Sequence, residues 1–153
     1  MKSLELTEDY ITLINDSKIW GMNFNFDGSQ TSVTPSLVID IDYVTGSDSS
    51  LDNGDITFHV CPAKLNFNGV SSFNIKLSSD MEEEKHYKAD CLYIYRIEKL
   101  LTKNNRFYFK IIFSDKVGYI ELYSDNASLL IDKNKIYKIK GSDSIPILLR
   151  SSI

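Results

Sequence analysis

The chain has 153 residues and a formal net charge of −4, with 42% hydrophobic and 25% charged residues. That balance is ordinary for a globular protein, too apolar for a disordered one, and long enough for a single domain to bury a core without metals or disulfides. An acidic chain argues against a nucleic-acid partner, whose phosphates need a basic surface, and the longest apolar runs, such as Ile111-Ile112-Phe113 and Leu129-Leu130-Ile131, are far short of the roughly 20 residues of a membrane-spanning helix.

Acidic residues already stand at Glu5, Glu8 and Asp9, where an export signal needs an unbroken apolar stretch, so the expected location is cytoplasmic. Cys61 and Cys91 are the only cysteines, too few for a disulfide framework, and reduced thiols are expected.

In chain order, Thr7 is positioned to N-cap a short helix with Glu8 and Asp9 in its first turn and Tyr10, Leu13 and Ile14 on one face. From Ile19 to Phe26, alternation of Trp20, Met22, Phe24 and Phe26 with smaller or polar residues predicts a half-buried strand, ended by turn residues Asp27-Gly28-Ser29. Leu37 to Val44 is a second strand, with Leu37, Ile39, Ile41 and Tyr43 on one face and Asp40 and Asp42 on the other. A Gly/Ser/Asp-rich loop at 45–54 leads to two short strands, 56–60 and 63–67, separated at Pro62. Asn68-Gly69 then predicts a hairpin into Phe73, Ile75 and Leu77.

Residues 80–90 are a charged connection. Beyond it the pattern is a C-terminal meander: 92–100, a turn at Lys103-Asn104-Asn105, 107–113, 119–123, 129–131, 136–139 and 145–149. About ten strands joined by brief polar turns predict a mostly β, single-domain antiparallel β-sandwich or open barrel over 1–153, with at most one or two short helices. Ile39, Ile41, Phe58, Leu65, Phe109, Ile111, Ile120 and Leu122 are its expected core. No Gly-rich phosphate loop is present, and no cofactor is implied.

Four patterns carry possible chemistry. Asp48 to Asp55 opens like a calcium loop, but the sixth position is Asn53 where glycine is required and the twelfth is His59 where a bidentate Glu is required. One of the registers that match the apolar faces of 37–44 and 56–60 places Asp40 opposite His59 and Asp42 opposite Thr57, with Lys64 nearby. A carboxylate beside an imidazole can orient a general base or a metal ligand, but it is more commonly a cross-strand ion pair, and after that a partner-binding face. Only His86 remains as a further histidine, so a zinc site would need distant ligands. His59-Val60-Cys61 puts a thiol and an imidazole on one strand face, roughly 7 Å apart at the Cα atoms, which is long for an activated cysteine. Finally, nine Tyr and eight Phe, including Tyr93, Tyr95, Tyr119 and Tyr123 on strand faces, suit either a core or an interface.

Asn15-Asp16-Ser17-Lys18-Ile19, the DIDY strand Asp40-Ile41-Asp42-Tyr43, and Pro62-Ala63-Lys64-Leu65-Asn66-Phe67 together resemble a loosely defined group of small bacterial β proteins of unknown function. That group carries HDS-like, DIDY and PAxLxF elements, and some of its relatives resemble toxin-immunity proteins. Asn15 stands where the group often has His. The resemblance covers about the first half of the chain and supports a fold more than a function; taken with the acidic charge, the absent export signal and the missing catalytic signature, it makes a non-enzymatic intracellular binding protein, of the kind that inhibits a basic toxin, the leading expectation. On that expectation the strand face with Asp40, Asp42 and His59 supplies the partner-binding residues, and a basic protein is the expected partner. The alternative is a small-ligand-binding β-barrel or an enzyme of unknown chemistry. The sequence does not set the oligomeric state.

Overall fold

The computed structural model describes residues 2–29, 32–49, 54–77, 92–114 and 117–150. His86, Cys91, the charged connection 80–90 and residues 50–53 of the calcium-like loop lie outside them. The described chain is mostly β, an antiparallel ten-stranded sheet that does not close, with two short helices. In chain order the elements are β1 (Lys2–Glu5), α1 (Glu8–Leu13), β2 (Lys18–Ser29), β3 (Ser32–Ser49), β4 (Ile56–Asn68) and β5 (Ser72–Leu77). They continue with β6 (Leu92–Leu101), β7 (Phe107–Phe113), β8 (Gly118–Ser124), β9 (Asn126–Ile131), β10 (Tyr137–Lys140) and α2 (Ile147–Arg150).

The strand order is β1-β9-β4-β3-β2-β6-β7-β8-β5, with β10 added beside β4. Only two residue pairs, Lys18 with Tyr93 and Ile19 with Leu92, join β2 to β6, so the sheet has two halves that fold onto one another. Their inner faces share one core cluster that includes Leu37, Ile39, Ile41 and Leu65 from the first half and Ile94, Ile111, Ile120 and Leu122 from the second. Phe67 meets Phe109 across it, edge to face at 5.1 Å.

The expected core residues are buried except Phe58, which is half-buried. Its misplacement comes from reading β4 as two strands. Pro62 does not break the strand: its carbonyl accepts the Asp132 N–H at 3.2 Å, at the point where β4's neighbour changes from β10, paired over Thr57–Val60, to β9, paired over Ala63–Asn68. N–H and C=O of a strand residue point to the same side, so the donor that proline lacks falls in that gap. The core face of β4 is therefore Cys61, Ala63, Leu65 and Phe67, opposite Tyr43, Ile41, Ile39 and Leu37. Phe58 belongs to the other face.

Other expectations shift for similar reasons. Asn68-Gly69 is a corner, not a hairpin: β5 leaves β4 and pairs with β8. The Asp27-Gly28-Ser29 stretch stays in register with Ser32–Thr34, and β3 continues past Thr45 to Ser49. Only β6-β7-β8 form the meander, since β9 pairs with β1 and β4. The segment at 145–149 is a buried Ile145 followed by the helical turn α2, not a strand. In α1 the buried residue is Ile11, followed by the buried Ile14 at its C-cap, with Leu13 exposed.

Replacing Ile41 with Ala should cost about 2–5 kcal/mol in urea unfolding, the usual range for a fully buried aliphatic side chain. Phe58→Ala should cost clearly less. Equal costs would mean that Phe58 shares the inner face.

Candidate functional site

The site of interest lies on the outer face of β2, β3 and β4, beside a local irregularity in β2. A β-bulge in β2 falls between Ile19, opposite Ile41, and Gly21, opposite Asp40. The extra residue is Trp20, and the bulge re-aims its indole from the expected alternating row to the outer face, leaving Ile19 in the core. Gly21, next to it, has open space where a Cβ would stand.

Beneath Trp20 lies Asp42, which is fully buried and not on a solvated face. The chain after β10 returns over the sheet: the Ile145 N–H donates to Asp42 Oδ2 at 2.8 Å and Arg150 Nη1 donates to Oδ1 at 2.7 Å. Arg150 Nη2 reaches the Ile41 carbonyl at 3.4 Å. The Trp20 ring has Arg150 Cζ at 5.5 Å and Lys18 Nζ at 4.0 Å from its centroid. Its buried indole N–H makes no hydrogen bond of normal geometry, but it lies close enough to Asp42 to favour the carboxylate. Burial nevertheless wins: desolvation raises the Asp42 pKa above the ordinary carboxylate value, against the opposing pull of Trp20, Ile145, Arg150 and Lys18.

Asp40, two residues earlier on the same face, is different. It stands opposite Lys64 on β4, with Lys64 Nζ 3.9 Å away and both side chains more than two-fifths exposed. An open cleft of about 320 Å³ lies between this pair, the Asp132 to Lys135 turn and Arg150, with Trp20 and Pro62 among its lining residues. Its charges are mixed, so the outer face is not a uniformly acidic patch.

His59 is elsewhere. The β3–β4 register places it beside Gly46, across a second bulge at Thr45, and not opposite Asp40; Asp42 faces Pro62, not Thr57. His59 Nε2 lies 2.8 Å from Asp48 Oδ2, the same oxygen that Lys138 approaches at 3.4 Å. The hydrogen bond to His59, with its charge and that of Lys138, holds the Asp48 carboxyl below its ordinary range. Cys61 is buried and directs its Sγ toward the Tyr43 carbonyl at 3.6 Å; burial pushes its thiol up to about 11, which keeps it protonated at neutral pH. Neither it nor His59 is paired with the other. Among the described residues no group of three or more His, Cys, Asp or Glu could hold a metal ion.

The structure thus separates the three expected residues: Asp40 on an open cleft, Asp42 in a buried clasp, His59 in a surface ion cluster. Sequence reasoning missed Trp20 and Arg150. The Trp20-Gly21 pair was the readable signal for a bulge, since glycine within a strand often marks one. Arg150 had no signal, being 108 residues from Asp42. Comparison with known proteins gives no match to a family model, a curated protein or a solved structure.

Removing Arg150 strands a buried carboxylate. Arg150→Met should cost about 3–5 kcal/mol at pH 7, the range for breaking one partner of a buried pair. It also raises the folded-state pKa of Asp42 further above the unfolded one, so stability is retained where Asp42 is protonated and lost as pH rises through the folded pKa. Urea titrations at pH 4 and pH 7 should show a smaller penalty at pH 4; a penalty independent of pH would mean that Arg150 does not neutralise Asp42.

Proposed function

We propose that this is a non-enzymatic binding protein, an inhibitor of the immunity type, that holds a basic protein partner at the cleft beside Trp20. The observation that carries this reading is the combination of an apolar wall, Trp20 and Pro62, with a half-exposed carboxylate, Asp40, in one open depression. A lysine or arginine side chain lays its stem on such a wall and its head on such a carboxylate. Lys64 is a weak competitor, because its pairing with Asp40 is long, solvated and worth at most about 1 kcal/mol. Asp42 is buried below the cleft and does not meet the partner, and Arg150, which lines the cleft, is held by Asp42. The net charge of −4 adds long-range attraction to a basic surface.

The cleft volume, about 320 Å³, also lies at the small end of ligand pockets and supports a second reading, a small-molecule binder. The chain has one tryptophan, and it lines the cleft, so its emission reports on this site alone. An arginine-rich peptide should change Trp20 emission, with an affinity that falls as salt rises and falls again in Asp40→Asn. A glutamate-rich peptide of equal length should have no effect. Equal responses to the two peptides, or an Asp40→Asn variant that binds like wild type, would sink the proposal.

A further inference from the structure

The opposite half of the molecule presents another outer face, on β6, β7, β8 and β5, made of three cross-strand rows. Strand register sets Leu100, Tyr108, Tyr123 and Ser72 in the first row and Glu98, Lys110, Glu121 and Asn74 in the second. The third is Arg96, Ile112, Tyr119 and Lys76. These positions alternate with the buried Ile97, Phe109, Ile111, Ile120 and Leu122, so they point away from the core. Leu100 is 61% exposed and Tyr123 40%.

Charge on this face is organised within the middle row. Lys110 Nζ lies 3.1 Å from Glu121 Oε1, and Tyr108 Oη donates to the same oxygen at 2.9 Å. Lys110 Nζ also sits 4.2 Å from the Tyr119 ring centroid. The result is a surface with three tyrosines, Tyr108, Tyr119 and Tyr123, on either side of an alternating charge ladder, Glu98-Lys110-Glu121.

We propose that this face takes a second copy of the same chain, packed sheet on sheet about a two-fold axis parallel to the strands. Such an axis lays β7 on the second copy's β8 and β6 on its β5. Lys110 then faces Glu121 of the second copy, and the reverse; Tyr108 faces Tyr123, Ile112 faces Tyr119, and Glu98 faces Asn74. The other axis lying in the interface, perpendicular to the strands, would put Lys110 on Lys110 and Glu121 on Glu121. Charge complementarity therefore selects the first. Its one mismatch, Arg96 facing Lys76, is at a corner, where Arg96 is already held by Glu98 at 2.7 Å.

Four strands at a spacing of about 4.8 Å and a rise of about 3.3 Å per residue give a flat footprint of roughly 400 Å² per copy. A standard stable interface uses about 800 Å² per partner, so the dimer is a weak one that forms with rising concentration.

Sedimentation equilibrium from micromolar to millimolar protein tests this. The wild-type average mass should rise toward twice the monomer's. Lys110→Glu and Glu121→Lys each place like charges across the axis, and each alone should remain monomeric. An equimolar mixture of the two variants should regain the dimer, because every substituted side chain then meets an opposite charge on the other copy. Within each variant the internal Lys110 to Glu121 pair stays broken, so recovery on mixing comes only from contact between copies. Unchanged Trp20 emission, read on the opposite half, checks that each variant folds. Should either fail that check, Tyr123→Glu, at a more exposed position, replaces it and should weaken dimerisation about tenfold. A wild type that is monomeric throughout overturns the proposal, as does a dimer indifferent to these substitutions, or a face that binds only a different protein.

Discussion

The two-halved architecture depends on one corner, where β4 turns into β5 and β8 into β9 side by side. Gly69 has φ +65° there, and a Cβ on it would lie 1.9 Å from Asp125 Oδ2. Asp125 in turn donates its N–H to the Asn68 carbonyl at 2.9 Å, and its carboxylate lies 3.0 Å from Arg106 Nε. Arg106 also donates to the Gly69 carbonyl, so one guanidinium ties both bent strands together. A side chain at position 69 would force Asp125 off Arg106 as well as straining the backbone. Because the two strands bend together, β4–β9 and β8–β5 become successive stretches of one ladder, and the inner faces of the halves are brought together over the core.

How far this was readable follows from what each signal measures. Alternation found most strands, and all but Phe58 of the residues it named as core are buried, because burial of one face imposes a period of two whatever the topology. It failed where a single residue resets the period, at the bulges beside Trp20 and Thr45, and where Pro62 was taken as a break when it sits in a gap between two neighbours. Asn68-Gly69 announced a left-handed residue correctly; whether the chain then forms a hairpin or a corner depends on β8, about fifty residues later. The same limit applied to the site. Asp40 and Asp42 are indistinguishable in the DIDY run, and only the returning C-terminal segment makes one a surface group and the other a buried ion.

The two outer faces differ accordingly. On the first half, β10 and the segment through α2 cover part of the sheet, bury Val60 and Ile145 outside the main core, and leave the Trp20 cleft as the uncovered remainder. The second half has regular rows, with Lys110 and Glu121 paired in the middle one. The irregular face is concave at the cleft and the regular one is made of even rows, and the two lie on opposite halves of the molecule.

The distance in sequence between Asp42 and Arg150 also sets an order of events during synthesis. At about 5–20 residues per second, a ribosome that has just added Asp42 needs roughly 5–20 s to add the 108 residues to Arg150. Until then the nascent β2–β3–β4 layer carries a carboxylate with no guanidinium to meet it, and water must remain on that face. The cleft thus takes its final shape only once the returning segment has closed over Asp42.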